Sequence, residues 1–320
     1  MTPLRITTAS RLHFGLLGWG PHASRQFGGV GLMVERPGLE LTAAPADAFQ
    51  AEGLLADRVA SILDRIHEKA DSDLFPKPAR IEVVSAPGEH SGLGVGTQLS
   101  LAVAALLLRL SGVAEPSVEA LARLSERGRR SGVGLHGFLH GGLVVDGGHK
   151  VADAVPPLVS RMTFPPEWSV LIVRPPGPKG RHGAAEAAAF AELPPCPERV
   201  TERLCRLVLL DLLSAVAERD LPAFGAAVGE LQHRVGTAFA SAQGGVYATP
   251  ESETLVDDFG RLGLVGGGQS SWGPSLYAFG AISADERRAV AEWLVDRRGL
   301  DRSEILWTRA QNHGASITPL

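Results

Sequence analysis

The sequence predicts an α+β fold divided into two domains. Three observations carry that expectation: the chain opens on short strand-like runs separated by glycine and proline turns, its middle holds two Pro-Pro pairs, and helical periods dominate its second half. At 320 residues it is also longer than one small core organises.

The runs at residues 4–9, 11–17, 30–35 and 39–44 read as strands of a meandering sheet. From Ala51 to Ala70 the period changes: Leu54, Leu55, Val59, Ile62, Leu63 and Ile66 recur at helical spacing between charged residues, which predicts an amphipathic surface helix. Residues 79–86 return to a strand. A helix apolar on nearly all sides, and therefore buried, is expected from about Gln98 to Leu110, and another from Ser117 to Arg129 behind Pro116. Strand fragments come next, then Pro156-Pro157 and Pro165-Pro166, which divide the chain into domains of residues 1–160 and 161–320. The second domain is expected to run strand (168–175), basic glycine and proline loop, helices (197–219, 222–239, 251–262), glycine-rich passage (264–282), helix (284–298) and last strand (304–310).

Composition excludes several classes. A net charge of −4 offers no electrostatic footprint for nucleic acid. The two cysteines, Cys196 and Cys205, form no CxxC and suggest neither zinc site nor disulfide framework. The N-terminus lacks an apolar signal core, and the longest apolar run, Leu99 to Leu108, is short of a membrane span, so a cytoplasmic protein without membrane contact is expected.

The stretch His90 to Ser100, HSGLGVGTQLS, stands between a strand and the buried helix. Backbone N–H groups and the positive dipole end of a helix attract anions, and glycines allow close approach. A tight packing turn needs the same glycines, so both readings stay open on spacing alone. No Lys-Ser or Lys-Thr pair comes after it, and the loop is neither a Walker A motif nor a dinucleotide fingerprint.

The stretch Pro87 to Gln98, PGEHSGLGVGTQ, resembles the phosphate loop of the GHMP kinases, and Gly266 to Phe279, GGGQSSWGPSLYAF, stands where they carry a third, glycine-rich motif. The resemblance implies their fold: a ribosomal S5 domain 2-like N-terminal domain, a ferredoxin-like C-terminal domain, and a site in the cleft between them. It also implies phosphate contacts from Gly92, Leu93, Gly94, Val95, Gly96, Thr97 and Gln98, with Thr97 as the oxygen nearest a Mg²⁺ ion. Many of these kinases place an Asp, the base for the substrate hydroxyl, where SGVGLHGFLHGG puts Gly134. Some manage without it, so an ATP-dependent small-molecule kinase remains an alternative, as does a metabolite-binding regulator without turnover.

Further stretches resemble the β-ribofuranosylaminobenzene 5′-phosphate synthases, a non-kinase branch of that superfamily. They are SRLHFGLLG (10–18), RQFGGVGLMVE (25–35), RGRRSGVGLHGFLHGGLVVDGGH (127–149) and TRAQNHGA (308–315), co-linear with the two glycine motifs. Gly18 departs from the acidic residue found in part of that family. The resemblance implies transfer of a ribosyl 5-phosphate from phosphoribosyl pyrophosphate to the ring carbon of 4-aminobenzoate or 4-hydroxybenzoate, with loss of CO2 and pyrophosphate, in tetrahydromethanopterin biosynthesis. Mg²⁺ is the expected cofactor. The acidic pair Asp257-Asp258 does not lead into a phosphoribosyltransferase motif and reads as a solvated helix face. Proteins of this fold often form homodimers, and no apolar seam is legible in the sequence.

Candidate residues each carry two readings. His90 beside the glycine loop suits phosphate contact or proton transfer, and equally loop capping. Alternation places Arg11 and His13 on one strand face, for binding and catalysis or as a surface row; Arg25 lies on the next strand. Arg127, Arg129 and Arg130 favour a helix C-terminal dipole or an anion. His136 and His140 come after the missing base and could take over acid or base work. Arg174, Lys179, Arg181 and His182 sit on a loop suited to a phosphate or carboxylate, or to solvent. Gln269, Ser270 and Ser271 offer neutral donors, and Trp272 is a wall for an aromatic acid or an interdomain packing residue. Asn312 and His313 enter through the resemblance alone.

Overall fold

A computed structural model of the chain describes residues 2–69, 76–150, 154–177, 180–181 and 183–320. The four opening runs form two long antiparallel strands, β1 (Leu4–Gly18) and β2 (Phe27–Pro45), because register shifts between Thr8 and Ser10 and between His13 and Gly15 let the strands bend without ending. Along β2 the C-terminal half pairs with β4 (Ala79–Ser85), which carries β3 (Gln50–Gly53) in parallel. Its N-terminal half pairs with β5 (Leu143–Asp146), and β6 (Leu158–Met162) extends that edge. On the other side β1 pairs with β11 (Ser316–Pro319), so the C-terminus returns to the first sheet. The expected division at 160 and 161 falls within β6.

Four helices cover this sheet. The expected 51–70 helix is α1 (Ala56–Lys69), its first residues being drawn into β3. The buried helix α2 (Val95–Leu110) starts three residues before the expected Gln98, because Gly94 takes a left-handed conformation (φ 72°) and releases the chain into helix there. α3 (Val118–Ser125) is capped by Ser117 and stops short of Arg129 at Glu126, which is left-handed. α4 (Val133–His140) was not expected: its glycines hide the helical period, and burial of Val133, Leu135 and Phe138 holds it.

The second sheet is antiparallel, in the order β10 (Ile305–Thr308), β7 (Ser169–Val173), β9 (Leu276–Gly280), β8 (Val265–Gln269). Around it lie α5 (Gly183–Glu192), α6 (Glu198–Arg206) running through a π-helical turn at Leu207–Leu212 into α7 (Leu213–Glu218), α8 (Leu221–Gln243), α9 (Pro250–Arg261) and α10 (Ala284–Arg298). α10 matches its expected span, since Ser283 and Glu286 form a capping box and Gly299 ends it left-handed. α5 was not expected after a loop so rich in glycine and proline. Asp258, read as solvated, is buried on α9 and pairs with Arg261 at 2.9 Å and Arg298 at 2.5 Å.

Phe14 of β1 packs on Tyr277 and Phe279 of β9, with ring centroids 5.2 and 6.0 Å away. One hydrophobic core therefore runs through both sheets and fixes the cleft between them. No helix among the described residues is long and apolar enough to cross a membrane.

Candidate active site

The glycine loop is held from two sides. The Arg11 N–H donates to the Leu93 carbonyl (2.9 Å), fastening the loop to β1. The Ser270 hydroxyl donates to the Gly92 carbonyl (2.7 Å), and the Ser275 N–H to that of Ser91 (3.2 Å), fastening it to the turn after β8. A Cβ on Gly92 would lie 2.5 Å from the Ser270 carbonyl oxygen, so only glycine permits this approach. A cavity of about 490 Å³ opens beneath, lined by the loop, β1, the segment 126–131, and residues of α5, α8 and the turn after β8.

One wall is cationic. Arg11, Arg58, Arg127, Arg129 and Arg130 line the cavity against only two carboxylates among the described residues, Glu126 and Glu186. Arg11 Nε is buried with no hydrogen-bond partner among the described residues. Burial pushes the Arg11 guanidinium down to about 10, Glu186 opposing and Arg130 adding to the effect. Arg127 is likewise pushed down to about 10 by burial, with Arg58 and Arg65 adding to it. A buried cation without an acceptor is costly, and an anionic occupant relieves that cost. The first turn of α2, which has no side-chain cap, presents further backbone donors to the same space.

The opposite end is aromatic. Trp272, Phe190, Phe239, Leu16 and Val235 line it, with Trp272 5.1 Å from Phe239 and 5.7 Å from Phe190 between ring centroids. Glu186 ties the two ends together, accepting from Trp272 Nε1 (3.2 Å) and pairing with Arg130 (2.5 Å), which lies over the Phe190 ring.

His13 also lines the cavity. Its Nε2 is 3.1 Å from Ser131 Oγ, which donates to Asp146 Oδ2 at 2.8 Å. Burial, with the charge of Arg11 adding to it, holds the His13 imidazole well below its usual range; burial raises the Asp146 carboxyl despite hydrogen bonds from Gly148, Ser131 and Gly132.

The expected site residues divide accordingly. Arg11, His13, His90, Gly92, Leu93, Gly94, Val95, Gly96, Thr97, Gln269, Ser271 and Trp272 all line the cavity. All of Arg127, Arg129 and Arg130 do too, so they are not mere partners of a helix end. Gln98 faces the core instead: its amide donates to the Gly134 carbonyl (2.9 Å) and accepts from Thr8 (2.6 Å). Ser270 is buried behind the cavity wall as the clamp on Gly92. Arg25 is spent on the carbonyls of Gly147 (2.6 Å) and Gly148 (2.8 Å).

His136 lies off the cavity with Nε2 2.7 Å from the Pro156 carbonyl, its ring stacked on His140, so neither histidine stands at the site. Arg174 is taken by Glu304, and the exposed Arg181 donates to the Ala242 carbonyl (2.8 Å). Asn312 holds both backbone groups of Phe164 (2.8 and 2.9 Å), and neither it nor the exposed His313 lines the cavity. Lys179 and His182 lie outside the described residues.

Sequence reasoning missed Ser131, Asp146, Arg58 and Glu186. Ser131 and Asp146 both fall in the stretch 127–149, but nothing in its spacing joins a β5 carboxylate to a β1 histidine. Among the described residues no cluster of three His, Cys, Asp or Glu could hold a metal. Thr97, the residue expected to offer an oxygen to Mg²⁺, lines the cavity.

No protein-family model matches the chain. The fold is that of a mevalonate diphosphate decarboxylase from Trypanosoma brucei (TM-score 0.69, 16% identity, 99% of this chain and 98% of that one) and of a putative homoserine kinase from Listeria monocytogenes (TM-score 0.64, 16% identity, 99% and 100%). This is the GHMP-kinase fold, as the glycine motifs implied. The chain is 32% identical over 334 residues to a β-ribofuranosylphenol 5′-phosphate synthase of Methanothermobacter thermautotrophicus, with 98% of each covered. To that of Archaeoglobus fulgidus it is 33% identical over 327 residues, covering 98% of this chain and 99% of the relative. With such identity over nearly its whole length, the chain belongs to the β-ribofuranosylphenol 5′-phosphate synthase family.

Proposed function

We propose that this protein is a pentosyltransferase that moves a ribosyl 5-phosphate from phosphoribosyl pyrophosphate to the ring carbon of 4-hydroxybenzoate, releasing CO2 and pyrophosphate for tetrahydromethanopterin biosynthesis. Arg11 carries the reading: a half-buried arginine whose buried Nε has no acceptor among the described residues, set beside Gly94 at the start of α2, calls for an anion in the cavity. The relatives are named for a ribofuranosylphenol, which favours a hydroxyl over an amine at ring position 4.

In this reading the diphosphate lies against the glycine loop, with Arg11 and Arg127 stabilising the charge that develops as it departs. Mg²⁺, when bound, shares that charge, and Thr97 would hold it. Trp272, Phe190 and Phe239 receive the ring and exclude water from the anomeric centre. No acid stands at Gly134, which leaves the ATP-dependent kinase alternative without its usual base. The test is the product: phosphoribosyl pyrophosphate and 4-hydroxybenzoate should yield a ribosyl carbon bonded to the ring, read by carbon NMR. Phosphorylation of a small alcohol by ATP, with no such product, would sink the proposal.

A further inference from the structure

We propose that Ser131 and Asp146 form a positioning relay that sets His13 to take, and later return, the ring-hydroxyl proton of the aromatic acceptor. The proposal rests on the ribosyl-transfer reading above.

A serine hydroxyl has one hydrogen, and here it is committed. Asp146 accepts the Ser131 hydroxyl at 2.8 Å and the Gly148 N–H at 2.9 Å. Ser131 Oγ can then only accept from His13 Nε2, 3.1 Å away, which makes His13 the Nε2–H tautomer. The lone pair is left on Nδ1, which bonds to none of the described residues, on a ring that lines the cavity. The packing admits nothing else at this point: a Cβ on Gly29 would meet Ser131 Oγ, lie 2.9 Å from Asp146 Oδ2 and lie 3.1 Å from His13 Nε2.

The titratable and charged groups around the relay come from each packed element. They are Arg11 on the same strand, Arg130 before α4, His136 on α4, Asp146 on β5 and Glu186 on α5. Burial and then Arg11 keep the imidazole neutral in the free protein and oppose its protonation; the phenoxide formed beside it and the Asp146 carboxylate behind Ser131 offset that charge in the proton transfer. The ring wall is adjacent, since the Ser271 N–H beside Trp272 donates to the His13 carbonyl (3.3 Å).

In the first step the acceptor's O–H bond breaks toward His13 Nδ1, giving phenoxide and imidazolium, the latter steadied through Ser131 by the Asp146 carboxylate. The ring carbon bearing the carboxylate bonds to the anomeric carbon, and pyrophosphate leaves with the electron pair of the broken C–O bond. The C–CO2 bond then breaks, its electrons restore the aromatic phenoxide, and His13 returns the proton.

Asp146→Asn places an amide N–H where an acceptor stood, so Ser131 must donate to His13 and the tautomer reverses; Ser131→Ala breaks the relay with little change of volume. Each should lower kcat about 100-fold with both KM values little changed. The deciding substrate is 3,5-difluoro-4-hydroxybenzoate, whose hydroxyl is already ionised at neutral pH. With it, the variants should fall to within about threefold of the unaltered enzyme, since the proton step is no longer needed. Nitrogen-15 NMR of the unaltered protein should show His13 protonated on Nε2, a readout that does not depend on a variant folding. An equal deficit with both acceptors, or an Nδ1–H imidazole, overturns the relay alone. Absence of turnover by the unaltered enzyme with either acceptor overturns the ribosyl-transfer reading and the relay with it.

Discussion

Gly134 stands against Thr97: a Cβ on the glycine would fall 2.9 Å from Thr97 Cγ2 and 3.8 Å from Arg11 Cδ. The position where many kinases of this fold carry a base is thus the floor under a cavity-wall threonine. Gly134→Asp should therefore not create a kinase. It should displace Thr97, set a carboxylate beside Arg11 and reduce ribosyl transfer at least tenfold, with no ATP-dependent phosphorylation in a coupled ADP assay.

Arg11 trades stability for binding. Its ordinary protonation is disfavoured by burial in the free protein, so Arg11→Met should raise Tm by the equivalent of about 1–3 kcal/mol while abolishing measurable diphosphate binding by calorimetry. A fall in Tm would mean that the guanidinium is already satisfied within the fold.

The same groups set a pH limit. Arg11 and Arg127 are each pushed down to about 10, so both are charged at neutral pH and lose their protons above about pH 10 in the free protein. An anion binds the charged forms, so affinity for inorganic diphosphate, whose own ionisation is complete by then, should fall above that pH. Stability of the free protein runs the other way. With both folded values below the ordinary arginine range, the unfolded state binds more protons from about pH 10 upward, and these two groups favour folding more as pH rises there. Affinity unchanged across pH 10 would dissociate both arginines from the ligand.

Trp272→Ala removes the ring wall. The KM for the aromatic acceptor should rise about tenfold, the effect of roughly 1–2 kcal/mol of lost contact, with the KM for the ribosyl donor nearly unchanged. A matching rise for both substrates would point to collapse of the cavity instead.

Asn312 provides a control. Its amide makes two hydrogen bonds to Phe164, so Asn312→Ala should cost about 1–3 kcal/mol in denaturant unfolding and leave both KM values in place. A change in KM without loss of stability would return the C-terminal turn to the site.

Much of this arrangement was legible in the sequence. The glycine loop was legible as a strand-to-helix turn with three closely spaced glycines, although spacing alone left an anion site and a packing turn both open. Arg11 and His13 were found by alternation, which survives bending of a strand. Long-range pairing was not legible. Asp146 reaches His13 only because β2 pairs with β1 along one edge and β5 along the other. Gln98 misled for the opposite reason: it comes directly after the loop in sequence, but the early helix start at Val95 turns it into the core, where Thr8 and Gly134 consume its amide.

The most direct test supplies phosphoribosyl pyrophosphate and 4-hydroxybenzoate carrying carbon-14 in its carboxyl group. Labelled CO2 and pyrophosphate should appear together in equal amounts, with no requirement for ATP. Pyrophosphate without CO2, or ADP formation with neither, would contradict a decarboxylating ribosyl transfer.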